Sequence, residues 1–291
     1  MNYLEQLEKA ILFIEANLCE DIRTEDVAGI AGYSYYHFHR VFEAVTGETI
    51  GNYIRSRRLA RAAYDLMYSD IKIIDIAVRY QFESQEAFNR AFKKLYRISP
   101  GTYRNNRIDS IVGNRKQLTP LNLRHLTSGL TLQPEIKIVS ETKIVGLSGK
   151  SSLSCNNRRN MWNMFNPRIS EIKHLAEGIR GYGICEADPD FDMCRFDENT
   201  ESSEIVGVEV ISFEDIPQGM IKKFLTGGKY AVFTHKGKLD KLGMTYEYIW
   251  GTWILCSGVE LDMRDDFEFY DERFLGYDNE LSQMDIYIPV K

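Results

Sequence analysis

The sequence predicts a chain in two parts. An all-α N-terminal domain with two helix-turn-helix units precedes an α+β domain, in which the order strand-helix-strand-strand occurs twice around an antiparallel sheet. Three observations predict this. The length of 291 residues suits two domains of ordinary size. The apolar period changes along the chain, from spacings of three and four in the first part to alternation in the second. The pattern F-x-R-x-F occurs at Phe38–Phe42 and again at Phe88–Phe92, an offset of 50 residues.

Leu4, Leu7, Ile11 and Ile14 make residues 3–17 an amphipathic helix. Thr24 is a candidate cap for a short helix over 25–31, with two acids in its first turn. Gly32, tolerant of positive φ, ends that helix. Ser34 is the next candidate cap. Behind it Phe38, Val41, Phe42 and Val45 form one buried stripe, and Tyr36, His39, Arg40 and Glu43 occupy the opposite face until Gly47 closes the helix. A short helix, a glycine turn and a second helix make a helix-turn-helix, whose second helix can enter the DNA major groove.

Residues 51–68 read as a longer helix between two copies of this unit. The second copy begins near Lys72, with Ile73, Ile76 and Ala77 on its first helix. Ser84 caps its second helix, where Phe88, Ala91, Phe92 and Leu95 repeat the stripe and Glu86, Asn89, Arg90 and Lys93 face outward. Ser99-Pro100 marks the exit, because proline cannot continue a helix. Two such units in one chain can place their recognition helices in successive major grooves, about 34 Å apart. A helical bundle that touches no DNA has the same periodicity; the paired Arg40 and Arg90 favour the DNA reading.

Residues 108–132 contain Pro120, two glycines and several Ser, Thr and Asn. They are expected to link a domain at 1–107 to one at 133–291, with Leu121–Leu126 forming a turn that docks on a domain. Beyond them Ile136, Ile138 and Val139, then Ile144, Val145 and Leu147, read as strands. Residues 158–177 read as a helix bearing Trp162, Phe165, Ile169, Ile172 and Leu175. "GYGICEA" and "EIVGVEVISF" are strands, and "MIKKFLTGGKYAVFTHKG" holds two more around Gly227-Gly228. "KLGMTYEYIWGTWILCSG" reads as a helix with Tyr246, Ile249, Trp250 and Trp253, and "DFEFYDERF" and "MDIYIPVK" close as strands. Helices packed on one face of an antiparallel sheet define the α+β class.

Charge separates the two parts. Residues 1–107 carry 15 Lys/Arg and 14 Asp/Glu, and the remainder carries 21 and 28, so the net charge of −6 describes neither. A near-neutral domain can still bind DNA when its basic groups share a face. The five cysteines are scattered without a C-x-x-C pair, which suggests neither a metal site nor a redox motif. No apolar run reaches 18 residues and the opening residues lack a signal pattern, so a cytoplasmic protein without membrane partners is expected.

Residues 1–107 resemble the DNA-binding domain of AraC/XylS-type transcriptional regulators. The first unit matches at Val27-Ala28, Ser34, His37, Phe38, Arg40, Phe42, Gly47, Tyr53-Ile54, Arg58-Leu59, Ala62 and Leu66. The second matches at Ile76-Ala77, Phe82, Ser84, Phe88, Arg90, Phe92, Pro100, Tyr103 and Arg104. The resemblance implies double-stranded DNA as a partner, contacted by Tyr36, His39 and Arg40 and by Gln85, Glu86, Asn89 and Arg90. RNA polymerase is a further candidate partner. The chain departs from the family at Gln81, where glycine is usual in the second turn, which puts the rigidity of the second unit's docking in doubt.

Residues 133–291 resemble the GyrI-like effector-binding domain, also found in multidrug-sensing regulators, and the pairing of the two domains is a known family layout. The match rests on Tyr230-Ala231-Val232-Phe233, His235, Gly237, Thr245-Tyr246, Ile249-Trp250, Trp253, Ser257-Gly258, Phe267-Glu268, Tyr270 and Ile286-Tyr287-Ile288-Pro289. It implies a small-molecule effector held by aromatics around one acid. By the motif that acid is Glu268, with Trp162, Phe165, Trp250, Trp253, Tyr270 and Tyr287 as walls. A carboxylate among rings attracts a lipophilic cation, and each ring adds about 0.5–2 kcal/mol. Two other readings stay open: a protein-binding module, and a hydrolase of small reactive compounds with Glu268 as general base. No Ser-His-Asp order or metal-spaced histidine cluster appears, so no catalytic residue, metal or cofactor is assigned. One expected route from effector to DNA is altered domain docking through 108–133, and linkage requires any such coupling to be reciprocal.

Overall fold

The computed structural model describes residues 3–106, 115–152, 157–178, 180–188 and 200–291. These fall into two units, residues 3–132 with 243–258 and the remaining described residues.

The first unit is helical: α1 (Tyr3–Ala16), α2 (Thr24–Ile30), α3 (Tyr35–Thr46), α4 (Ile50–Tyr68), α5 (Ile73–Arg79), α6 (Gln85–Tyr96), α7 (Pro100–Asn106) and α8 (Pro120–Ser128). The predicted stripes form its core. Phe38 and Phe42 are buried on α3, with Val41 and Val45 partly so. On α6, Phe88, Ala91, Phe92 and Leu95 pack with Leu59, Ile76, Tyr80 and Tyr103. Ser84 caps α6 by accepting from the Ala87 N–H at 3.1 Å. Ser34 occupies the N-cap of α3 without a side-chain bond. Thr24 is not a cap: Arg23 holds that position, and the Thr24 hydroxyl donates instead to the neighbouring Glu25 carboxylate at 3.4 Å. Pro100 opens α7 at a position where the missing N–H is harmless.

The two units of the repeat place a left-handed residue at matched points of their turns, with different residue types. Gly32 (φ 73°) and Gln81 (φ 60°) both stand in left-handed backbone after the first helix of their unit, as Gly47 (φ 75°) and Arg97 (φ 64°) do after the recognition helix. Gln81 offsets the strain its side chain brings by donating to the Cys19 carbonyl at 2.6 Å, a bond glycine cannot make. The matched turn residues are 32 and 81 and the matched caps Ser34 and Ser84, so the second turn is one residue longer.

Residues 108–114 of the expected linker, with Arg107, Cys155 and Cys194, lie outside the described residues. Residues 115–132 are built into the first unit. Thr119 and Asn122 form a reciprocal capping box, and Leu118, Leu123, Leu126 and Leu130 are buried. Arg115 makes a buried ion pair with Glu48 at 2.7 Å. Residues 243–258 join them, as most of α10 (Leu242–Tyr248), a π-helical turn (Ile249–Trp253) and a last turn (Ile254–Ser257). Thr245 Oγ1 and His125 Nε2 share a buried hydrogen bond of 2.7 Å, and the Tyr248 hydroxyl donates to the Leu132 carbonyl at 2.9 Å.

The second unit is one antiparallel sheet of eight strands with a helix, α9 (Arg158–Phe165), on it. The strands are β1 (Glu135–Val139), β2 (Thr142–Ser151), β3 (Gly181–Cys185), β4 (Ser202–Glu209), β5 (Ile221–Leu225), β6 (Gly228–Lys236), β7 (Asp266–Tyr270) and β8 (Gln283–Pro289), in the order β1-β6-β8-β7-β3-β4-β2-β5. Each half of the sequence thus brings an extra strand ahead of its strand-helix-strand-strand set. These extra strands are exchanged: β1 adds to β6 of the second set and β5 to β2 of the first. The helix expected over 158–177 ends at Phe165, where Pro167 helps tighten the chain into a 3-10 turn, Asn166–Glu171.

Register assigns the faces. Gly183, Glu268 and Ile286 are neighbours on one face; Ile184, Phe267, Tyr287 and Val232 are neighbours on the other. Helix α9 covers the first. Met161, Trp162 and Arg158 lie over Gly149, Gly181 and Gly183, where a Cβ would crowd each of them.

Candidate functional site

Helices α3 and α6 carry the predicted DNA-facing residues. Tyr36, 81% exposed, and Arg40 project from α3. His39 is half-buried, with Nδ1 3.8 Å from Glu43. On α6, Glu86 and Arg90 are exposed and Gln85 and Asn89 half-buried. Hydrogen bonds at the helix start, from its own N–H and from Ser84, hold the Glu86 carboxyl below its usual range. It therefore stays ionised, one helical turn from Arg90. Arg58 and Arg104, both within the family pattern, do not project to solvent in the same way. Arg58 donates to the carbonyls of Leu18 and Glu20 and Arg104 to those of Leu66 and Ile71, so each ties the chain end that precedes its unit. The two arginines are 46 residues apart where the recognition helices are 50 apart, so the repeat spacing does not signal this role.

In the second unit a cavity of about 330 Å³ opens between the 3-10 turn after α9, the sheet and the segment after β7. Its aromatic wall is a chain of edge-to-face contacts: Trp162 to Tyr270 at 5.4 Å, Tyr270 to Phe274 at 4.8 Å and Phe274 to Tyr277 at 5.6 Å. Arg180 and Glu209, paired at 3.0 Å, and Asp271 supply polar lining. Among the described residues the buried Trp162 Nε1 has no hydrogen-bond partner.

Glu268 stands behind that wall. It is 1% exposed, and the Tyr270 hydroxyl donates to its Oε2. Burial, reinforced by the Glu268 charge, pushes the Tyr270 hydroxyl well above its ordinary value, so it remains a donor. Glu268 Oε1 is 2.5 Å from Arg158 Nη1, and Arg158 Nε donates to Glu204 at 2.9 Å. Asp266 lies in the same field. Burial raises its carboxyl to about 7, Arg158 opposing and Glu268 and Glu204 adding to the rise. Two carboxylates thus pair with one guanidinium, and a third carboxyl feels its charge.

Of the residues expected around the effector, Trp162 and Tyr270 line the cavity, and Glu268 reaches it through Tyr270. Phe165 is buried beneath Trp162 at 5.9 Å. Tyr287 stacks on Phe267 at 4.4 Å on the opposite face of the sheet, because it follows Ile286, the register partner of Glu268. Trp250 and Trp253 lie on the π-helical turn of the first unit. Phe274, Tyr277, Arg180 and Arg158 were not among the expected residues; the first two follow the predicted strand in a stretch with no period of its own.

The sequence matches the family described as a helix-turn-helix domain over residues 27–106, and the GyrI-like small molecule binding domain over residues 132–291. It is 31% identical over 241 residues to the Right origin-binding protein of Escherichia coli K12, covering 78% of this chain and 76% of that protein. It is 51% identical over 104 residues to the uncharacterized HTH-type transcriptional regulator YbfP of Bacillus subtilis, a match spanning 36% of this chain and 35% of that protein. Among solved structures, an AraC-type transcriptional regulator from Chromobacterium violaceum aligns with 36% of this chain and 94% of its own, at 28% identity and a TM-score of 0.35.

Proposed function

We propose, for a chain that belongs to the AraC-type regulators carrying a GyrI-like small-molecule-binding domain, that its effector is a lipophilic cation seated in the cavity walled by Trp162 and Tyr270. The protein is a DNA-binding transcriptional regulator, and its small-molecule domain is the part this reading refines. One observation carries it. An aromatic cavity of about 330 Å³ shares Tyr270 with a buried carboxylate, Glu268, itself in a cluster with more acids than bases. Rings favour a cation through their faces, each by about 0.5–2 kcal/mol. Excess negative charge in a region poor in water strengthens that preference.

On the DNA side we assign base and phosphate contacts to Tyr36, His39, Arg40, Gln85, Glu86, Asn89 and Arg90. Arg40 and Arg90 suit bidentate pairing with guanine, and Glu86 can accept from cytosine. A second reading of the effector rests on the Arg158–Glu268 pair at 2.5 Å: a carboxylate already matched by a guanidinium also suits a neutral aromatic molecule.

The test is tryptophan quenching with tetraphenylphosphonium and with neutral triphenylphosphine oxide, on wild type and Glu268→Gln. The cation should bind wild type saturably and lose about tenfold or more in affinity in the variant, the equivalent of about 1.4 kcal/mol. The neutral probe should bind both proteins alike. Stronger binding of the neutral probe would favour the second reading, and no saturable binding of either would remove the cavity from the role.

A further inference from the structure

We infer that Arg158 is the residue that sets the charge selectivity of this site, because its guanidinium competes with a cationic effector for Glu268. The inference rests on the cavity reading given above and deepens it. The first turn of α9 places Arg158 over Gly183, the direct cross-strand neighbour of Glu268. A Cβ at Gly183 would stand 3.2 Å from Arg158 Cδ and 3.3 Å from Glu268 Oε2. Any larger residue there would crowd both partners, so this glycine makes the berth in which guanidinium and carboxylate meet.

Glu268 and Glu204 anchor this built-in counter-ion on two of its nitrogens. Arg158 Nη1 lies 2.5 Å from Glu268 Oε1, and Arg158 Nε donates to Glu204 Oε2 at 2.9 Å. A cation arriving from the Tyr270 side can take over the charge of Glu268 while Glu204 retains the guanidinium. Neither charge is then left buried and unmatched, the condition that makes breaking such pairs costly. An effector without charge gains nothing from that exchange and leaves Arg158 where it is. A cation gains only the excess of its own attraction to Glu268 over that of Arg158. Its apparent affinity is reduced by the fraction of time the guanidinium holds the carboxylate. Arg158 therefore discriminates against weakly interacting cations and is indifferent to neutral rings.

The test uses the full chain, with tetraphenylphosphonium and triphenylphosphine oxide as probes. Arg158→Gln is the first variant. Arg158→Met, which keeps an apolar stem over Gly183, is the second should the first fail to fold, and circular dichroism reports the fold of each. Either should bind the cation about tenfold or more tightly than wild type does, with the neutral probe unchanged. In Arg158→Ala, millimolar guanidinium should compete with the cation and restore weaker binding, while leaving wild type unaffected. A folded variant whose cation affinity is equal to or below that of wild type, with both probes still bound by wild type, overturns the role of Arg158 and leaves the cavity reading intact. Absence of saturable binding of both probes to wild type and variants alike overturns the cavity reading and this inference with it.

Discussion

Asp266 and Glu268 stand two residues apart on β7 and meet different surroundings. Glu268 has both a guanidinium and a phenol hydroxyl on its oxygens. The Asp266 carboxyl is raised to about 7, chiefly by burial, against an ordinary value near 4. A carboxyl that holds its proton more tightly in the folded chain contributes stability at acid pH, and that contribution is lost as pH rises from about 4 through about 7. Asp266→Asn keeps the neutral form at every pH. Its stability relative to wild type should therefore increase between pH 4.5 and pH 8, read as the difference in urea midpoints at the two pH values. An equal difference at both would remove Asp266 from the titration.

At the scale of elements, the two recognition helices are near copies that differ in the charge beside their arginines. Arg40 has no acid one turn before it on α3, whereas Arg90 follows Glu86 by four residues on α6. Arg40→Ala should weaken binding to the target DNA more than Arg90→Ala does. Each should reduce the slope of log affinity against log salt by about one if its contact is to phosphate. Fluorescence anisotropy over a salt series measures both, and a larger loss at Arg90 would reverse the assignment. These helices were legible in the sequence because their signals are local: apolar spacing, the Ser84 cap and the Gly32 and Gly47 turns act within a few residues. The aromatic site was legible only in part. Trp162, Tyr270 and Glu268 fall in strongly patterned segments, but which face Tyr287 takes depends on its register with β7, a long-range pairing that spacing does not encode. The leucines of 115–132 sat among turn-forming residues and read as a connector, although tertiary packing makes them core. Trp250 and Trp253, expected as pocket walls, lie on the π-helical turn of the first unit, and helical aromatic spacing does not encode where such a helix packs.

At the scale of the whole molecule, sequence order and structural units do not coincide. Residues 243–258 come between strands β6 and β7 yet pack in the first unit, where Thr245 meets His125 out of water. Thr245→Val removes that partner from a buried imidazole, a loss of about 1–3 kcal/mol. Amide exchange in peptides covering α8 should quicken in the variant while those of β2 and β4 keep their protection; unchanged exchange in α8 would show that the bond supports nothing there. The exchanged strands carry a separate consequence, for synthesis on the ribosome. When β1 emerges its neighbour in the sheet is β6, whose Val232 pairs with Glu135, and the outer edge of β2 waits for β5. Even then β6 has no place beside β7 until β8 fills the position between them. The last of these eight strands in chain order is thus the one that joins β1 and β6 to the other strands, and before its arrival the nascent domain presents open strand edges of the kind that recruit other chains.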